Sequence, residues 1–471
     1  MLVLTRAAAL AAALAMAVPA SAQTLTDTLV LAYRNSGLLD QNRALLRAAD
    51  EDVAQAVATL GPVLNYRGAL DYRSPSSSEL TATLALSAQI TLWDGGQSQL
   101  AIDAQKESVL ALRESLIGAE QQVLFQGVSA HMNVLSALEF VALRESNVRV
   151  VTRELRAAED RFEVGEITRT DVSVAEARLA LARSELAAAE GTLASAREAY
   201  RAATGQYPTR PVQPAEPPVP SATAEAARAV ARTTHPSIRE AQRNVTVAEI
   251  GVERARAGRR PTLSGNAALS YTESPDIVTA PVIIDGVVVR PGNRQSTGGV
   301  SRSVGVELSG PIYSSGRIDS LERQAVARAE AARAALLLSV RQVEQDVGTA
   351  FANLAVTRAV LESGQRQVRA QQQAFEGTRE EATLGARTTL DVLNAEQELL
   401  DARVQVVDAL AQQYVAAYQL LAAQGLLTVD YLNLGIVNYD PSAYYRAVSD
   451  APVTSSEQGA ALDRVLRAIG R

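Results

Sequence analysis

Val164-Gly165-Glu166-Ile167-Thr168-Arg169-Thr170-Asp171-Val172 interrupts a stretch from 97 to 204 that contains no proline. On its N-terminal side Leu110, Ile117, Leu124 and Leu138 recur at steps of seven, with His131 in the remaining slot. Val109, Leu116, Val123, Ala130 and Ala137 make an adjoining stripe. The run from 97 to 163 therefore reads as one helix. At a rise of 1.5 Å per residue it is a rod of roughly 100 Å, longer than a compact core requires. Gly165 supplies the left-handed residue that ends a helix, and Thr168, Thr170 and Asp171 are each able to cap the next. The reading is a helical hairpin with its tip at 165–170 and a shorter helix returning from Asp171 to Thr204.

The same signal recurs as Leu384-Gly385-Ala386-Arg387-Thr388-Thr389-Leu390-Asp391-Val392, with Gly385 standing 220 positions beyond Gly165 and Asp391 220 beyond Asp171. Trp93 and Tyr313 share that spacing, as do Asn133 and Asn353, Leu179 and Leu399, and Gly205 and Gly425. The chain is an internal duplication.

Ahead of each long helix the hydrophobic period changes from 3.6 to 2. Leu64, Tyr66, Gly68, Leu70 and Tyr72 alternate with polar or small residues, and so do Ala82, Leu84, Leu86, Ala88, Ile90 and Leu92. In the second half Leu263, Gly265, Ala267, Leu269 and Tyr271 form one strand face and Val300, Val304, Val306, Leu308 and Ile312 the other, with Arg302 breaking it near its outer end. Four strands in two hairpins are expected. Alternation alone fits either an inward-facing soluble sandwich or a lipid-facing barrel. In lipid, four strands close nothing, since membrane barrels have about eight or more, and open edges leave backbone groups unpaired. A membrane reading therefore demands an oligomer. Trp93 and Tyr313 follow the second strand of each hairpin and suit an aromatic girdle at the lipid boundary, core packing being the alternative. Pro261 matches Pro62 at a spacing of 199, so the second outer loop is longer by 21 residues. Within it, 282–289 reads as a small hairpin on Asp285-Gly286.

The chain has 471 residues, a net charge of −7, 4% aromatic residues, two histidines and no cysteine. The acidic balance argues against nucleic acid as a partner. No disulfide framework, thiol nucleophile or zinc cluster can be assembled, and no catalytic site or cofactor is expected. His131, in a packing stripe, reads as structural, and His235 before Pro236 as a helix boundary. Residues 1–22 carry Arg6, an apolar run and Ala20-Ser21-Ala22, the pattern of a signal peptide. The apolar run is too short to span a bilayer, and without cysteine there is no lipoprotein anchor. The first repeat is placed at 23–207 and a Pro-rich, extended linker at 208–220. The second repeat follows at 221–425, and a C-terminal tail at 426–471, disordered over 450–459.

The signal peptide, the duplicated helix, strand-hairpin and helix halves, and the two tip sequences together resemble the TolC-type outer-membrane factor family. Tyr439-Asp440-Pro441 with Tyr444 and Arg446 is similar to the tail of its type I secretion and drug-efflux members. The resemblance implies a mainly α fold with a membrane β-barrel portion, a homotrimer forming a twelve-stranded barrel and a twelve-helix tunnel. It implies a passive exit duct in the bacterial outer membrane with its tunnel in the periplasm. The duct docks to a periplasmic membrane-fusion adaptor and, through it, to an inner-membrane pump of RND or ABC type. The docking tips would be Val164, Gly165, Glu166 and Thr168 with Leu384, Gly385, Ala386 and Thr388. Thr170, Asp171, Arg387, Asp391 and Asn394 occupy the family's gate and constriction positions. Asn394 stands where a second aspartate occurs, and Ala382 where an aromatic residue occurs. Arg387 is placed to pair with Asp171 or Thr170 of a neighbouring hairpin, whereas ordinary capping is the simpler role for Asp171 and Asp391. The competing reading is a periplasmic coiled-coil adaptor without a pore of its own.

Overall fold

The computed structural model describes residues 23–73, 79–215, 217, 221–278, 282–285, 287–290, 294–436, 439–453 and 455–468. The expected signal peptide at 1–22 and the turn at 74–78 lie outside the described residues, as do Gly286 and part of the linker. In chain order the first half runs α1 (Leu25–Arg34), α2 (Gly37–Ala58), β1 (Val63–Arg73), β2 (Glu79–Trp93), α3 (Gln97–Glu163) and α4 (Arg169–Thr204). The second runs α5 (Ala224–Thr234), α6 (Pro236–Ala257), β3 (Thr262–Val278), β4 (Val282–Ile284), β5 (Val287–Arg290), β6 (Arg294–Ser309), α7 (Arg317–Thr383) and α8 (Thr389–Ala423). Two short helices follow, α9 (Pro441–Val448) and α10 (Glu457–Ala468). The long helices α3 and α7 each have 67 residues.

The four long strands form one antiparallel sheet, β1-β2-β3-β6, rather than two separate hairpins, while β4 and β5 pair with each other as the small hairpin. The register puts like faces together. Tyr66 lies opposite Leu86, which lies opposite Leu269; Gly265 lies opposite Val306 and Ala267 opposite Val304. The apolar face is open. Tyr66 is 87% exposed and Val304 88%, and Leu70, Leu84 and Leu308 are exposed beside them. Ile312 does not belong to that face. β6 stops at Ser309, because Gly310 and Pro311 follow and proline has no N–H to give to a ladder. Arg302 faces Leu269, two residues inward of the Tyr271–Val300 rung, after which Glu273 and Gly298 end the apolar run.

The chain divides into two units. The first comprises 23–43, 114–239 and 337–439 and is helical. Its main core joins Leu25, Leu29 and Leu39 to Val123, Leu124 and Val128 and to Tyr414, Leu421 and Leu427. The period-seven stripes of α3 are thus a packing face. His131 lies in that face, fully buried, with Nδ1 2.8 Å from the Thr28 hydroxyl and Nε2 3.0 Å from the Val212 carbonyl oxygen. Burial holds its pKa below the usual value, so Nε2–H donates to Val212 and Nδ1 accepts from Thr28. This is a structural histidine. The linker runs extended at its start, where Gln23 exchanges backbone bonds with Arg210 and Val212 and the Tyr414 hydroxyl donates to Pro214.

The second unit comprises 44–113, 240–336 and 440–468 and contains the sheet. Its tail is anchored by the Tyr444 hydroxyl, 2.6 Å from a Glu51 carboxylate oxygen, and by Arg113 stacked 5.3 Å over Tyr445. The expectation of disorder over 450–459 is corrected at its end, because Glu457 opens helix α10. Asp50 on α2 is fully buried and neither of its carboxylate oxygens has a hydrogen-bond partner among the described residues. Desolvation pushes its pKa up to about 6 against the pull of Arg113, with Glu51 adding to the rise. The folded state therefore holds a proton that the unfolded chain releases near pH 3.8, so stability falls as pH rises from 4 to 6. Asp50→Asn is expected to stabilise the protein by about 1–3 kcal/mol at pH 7.5 and to flatten that pH dependence. Thermal midpoints of the two proteins at pH 4.5 and 7.5 check it.

Candidate functional site

Both hairpin tips are built the same way. At the first, the Glu166 N–H donates to the Arg161 carbonyl at 2.9 Å and the Gly165 N–H to Phe162 at 3.0 Å; at the second, Ala386 donates to Glu381 at 2.9 Å and Gly385 to Ala382 at 3.2 Å. This double bond pattern closes a helix only with a left-handed residue, and Gly165 and Gly385 sit at φ +78° and +76°. The returning helices start from a capping box. Thr168 caps α4 and Thr388 caps α8, each hydroxyl facing the third helical residue, Asp171 or Asp391, whose carboxylate accepts from the threonine N–H at 2.9 Å. The bond from the threonine N–H, with that from its hydroxyl, holds both aspartates below the usual carboxylate range. Of the three possible caps, Thr168 is the one used; Thr170 sits inside the first turn, exposed. Glu166, Ala386, Val164 and Leu384 are exposed, the last two at 72% and 84%, so each tip presents an apolar residue beside its glycine.

Arg387 is bound within its own hairpin. Its Nε donates to a Glu381 carboxylate oxygen at 2.9 Å, because the glycine turn folds it back over the last turn of α7. Within the chain it meets neither Asp171 nor Thr170. The two hairpins are joined by other residues. Arg178 on α4 donates to the Asn394 side-chain oxygen on α8 at 2.9 Å, and Arg161 on α3 donates to the Ala382 carbonyl at the end of α7 at 2.9 Å. Glu154 and Arg379 approach to 3.7 Å. Beneath these ties Val151, Ala158, Ala175 and Leu179 pack with Leu393, and Ala382 packs with Phe375, Val392 and Leu399. Glu396, nearly buried, has its pKa raised by desolvation against a hydrogen bond from Asn147.

Arg178, Arg161 and Glu396 were not legible as site residues. One signal existed. The position 220 beyond Arg161 is Glu381; the repeat breaks sign where the two hairpins must differ, one arginine reaching across and the other hairpin keeping a carboxylate for Arg387. Away from the tips, Trp93 ends β2 half-exposed and Tyr313 follows β6 at 86% exposure.

Among the described residues no helix is long and apolar enough to cross a membrane, which leaves the open sheet as the apolar surface to be accounted for. The sequence matches the model of the family described as outer membrane efflux protein over 28–206 and 228–426, one match for each repeat. It is 32% identical over 439 residues to the outer membrane efflux protein BepC of Brucella suis, covering 92% of this chain and 91% of that protein. It is 25% identical over 419 residues to the outer membrane protein TolC of Vibrio cholerae, covering 86% and 92%. Among solved structures, CusC, whose crystal structures concern folding and transmembrane channel formation, matches at a TM-score of 0.72 with 18% identity, over 86% of this chain and 92% of that one. With a duplicated fold, an open apolar sheet and matches that span nearly the whole chain, this protein is located in the bacterial outer membrane and belongs to the outer membrane efflux protein family.

Proposed function

We propose that the chain is one subunit of a homotrimeric passive exit duct in a tripartite efflux pump or type I secretion system. The observation that carries this reading is the sheet. It has two open edges, β1 and β6, and an exposed apolar face over all four strands. In lipid an open edge leaves each backbone group unpaired at several kcal/mol. Three copies joined edge to edge remove every edge and make twelve strands, with the apolar faces outward and the row of Thr91, Ser264, Asn266, Glu307 and Ser309 inward. Trp93 and Tyr313 form the girdle where sheet gives way to helix.

The tips supply the docking surface. Val164, Gly165, Glu166 and Thr168 with Leu384, Gly385, Ala386 and Thr388 meet the periplasmic adaptor, which links the duct to an inner-membrane pump. Thr170, Asp171, Arg387, Asp391 and Asn394 lie at the constriction. Family members are channels rather than enzymes, so the energy comes from the pump. The adaptor reading is disfavoured by the sheet, since a water-soluble adaptor has no use for so large an exposed apolar face.

Extraction from outer membranes is expected to require detergent and to yield a trimer, and cross-linkers placed at Glu166 or Ala386 are expected to recover the adaptor. A water-soluble monomer would reject the duct, and recovery of no adaptor would reject the docking role.

A further inference from the structure

Below the sheet in the second unit, α6 and α7 enclose a groove of about 630 Å³, within the range of small-molecule sites. Its floor is apolar, with Val247 from α6 and Ile318 and Leu321 from α7. Its polar lining is one-sided. Arg254, Arg317 and Arg328 face it, and among the described residues no aspartate or glutamate does. None of the three guanidinium groups has a hydrogen bond or ion pair within the described chain.

The other side of the same helix pair is different. Arg256 meets Glu322 at 3.0 Å, Arg259 meets Asp319 at 2.7 Å, and Arg333 meets Glu249 at 2.7 Å. Helical spacing separates the two sets, since Val247, Gly251 and Arg254 on α6 and Arg317, Leu321 and Arg328 on α7 recur at steps of three, four and seven, and the paired residues fall off those stripes. In a chain of net charge −7, carboxylates are abundant, yet among the described residues none lines this groove. The groove also continues onto the water side of the sheet. Gln97 and Arg254 line both it and a neighbouring cavity of about 930 Å³ whose wall includes Asp52 and Asp94 as well as Thr91, Ser264, Glu307 and Ser309, the strand residues opposite the apolar face.

We propose that this groove is a cargo-binding site on the inner wall of the duct, selective for organic anions that carry an apolar body beside a carboxylate, sulfonate or phosphate. This rests on the exit-duct reading. A guanidinium fork binds the oxyanion, which planar arginine does better than lysine, and Arg317 and Arg328, about 16 Å apart along α7 by the helical rise, are separate positions for it. The aliphatic floor takes the apolar body, and the unneutralised charge draws the anion out of the central water.

The test uses the purified full-length trimer in planar bilayers, with 1-naphthalenesulfonate or 1-naphthylmethylammonium added on the barrel side. The sulfonate is expected to reduce single-channel current at concentrations where the ammonium ion of the same size does not. Replacing Arg254, Arg317 and Arg328 together by glutamine is expected to raise the half-blocking concentration at least roughly tenfold, the scale of one lost charge-assisted contact, with trimer yield unchanged. Equal block by both ions, or an unchanged half-blocking concentration in the variant, overturns the site. Loss of the trimer in the variant also overturns it, by making the groove a contact between copies. A wild-type protein that forms trimers but is blocked by neither ion leaves the duct standing without this site, whereas a wild-type protein that conducts nothing removes both.

Discussion

Val304→Arg is expected to eliminate the assembled protein from the outer membrane. Val304 lies on the exposed face of β6 opposite Ala267, which itself faces Ala88. On the same face the Gly265–Val306 rung lies inward, and outward come Leu269–Arg302 and then the apolar Tyr271–Val300 rung, so Val304 is the middle position of the run from Val300 to Leu308. An arginine at the bilayer midplane of a β-barrel costs about 2–4 kcal/mol, and a trimer bears that three times. Arg302, two residues away on the same face, adds repulsion and already occupies the nearer route by which a long side chain reaches the headgroups. Ser303→Arg is the control. It differs by one position, points to the polar side of the sheet because the strand period is two, and is expected to leave trimer yield within about twofold of wild type. Trimer recovered from outer membranes by detergent extraction reads both. Equal yields of the two variants would mean that the apolar face is covered by protein and not by lipid.

Arg161→Ala combined with Arg178→Ala is expected to raise the resting conductance about tenfold. These arginines supply two of the bonds that tie the first hairpin to the second inside one chain, to the Ala382 carbonyl and to the Asn394 side chain, beside the Asn147–Glu396 hydrogen bond and the Glu154–Arg379 contact. A hydrogen bond from a charged donor contributes about 1.5–3 kcal/mol when desolvated, and exposure reduces this toward 1 kcal/mol or less. Two such bonds still move a closed-to-open equilibrium by an order of magnitude. Arg387→Ser separates two arrangements. If the only partner of Arg387 in the trimer is Glu381 of its own hairpin, its loss leaves conductance near wild type; a cross-link to Asp171 or Thr170 of the next copy would make it rise as well. Asp391→Ala removes the α8 cap in either case, so its effect on conductance is interpreted only beside the helicity of the same variant.

Much of the fold could be read in advance because the interactions that set it are short-range. The bounds of α3, at Gln97 and Glu163, follow from Gly95-Gly96 before it and Gly165 after it, each acting within a turn of its position. The strand faces follow from alternation, and the duplication from residues 220 apart. Small misreadings have local causes too. Ile312 continued the alternation in letter only, because Pro311 had already ended the ladder. Glu457–Ala468 is helical although the preceding polar run suggested otherwise.

The candidate site was legible as a place and only partly as a set of contacts. Gly165, Gly385, Thr168, Asp171, Thr388 and Asp391 declare the tips because a glycine turn followed by a capping box is a local code. Arg178 with Asn394, 216 residues apart, declares nothing, since no periodicity marks which exposed arginine on a helix faces another hairpin.

By itself the amino-acid sequence determined the helices, the strands, their caps and the repeat, for these depend on propensity, periodicity and turn chemistry within a few residues. Only the tertiary structure decided that the four strands make one sheet with two open edges, that Arg387 turns back to Glu381, and that Arg254, Arg317 and Arg328 share a groove lined by no carboxylate among the described residues. Those outcomes depend on which side chains come within about 3 Å of one another after the chain has packed, and a contact of that reach is set by the positions of whole elements rather than by neighbours along the chain.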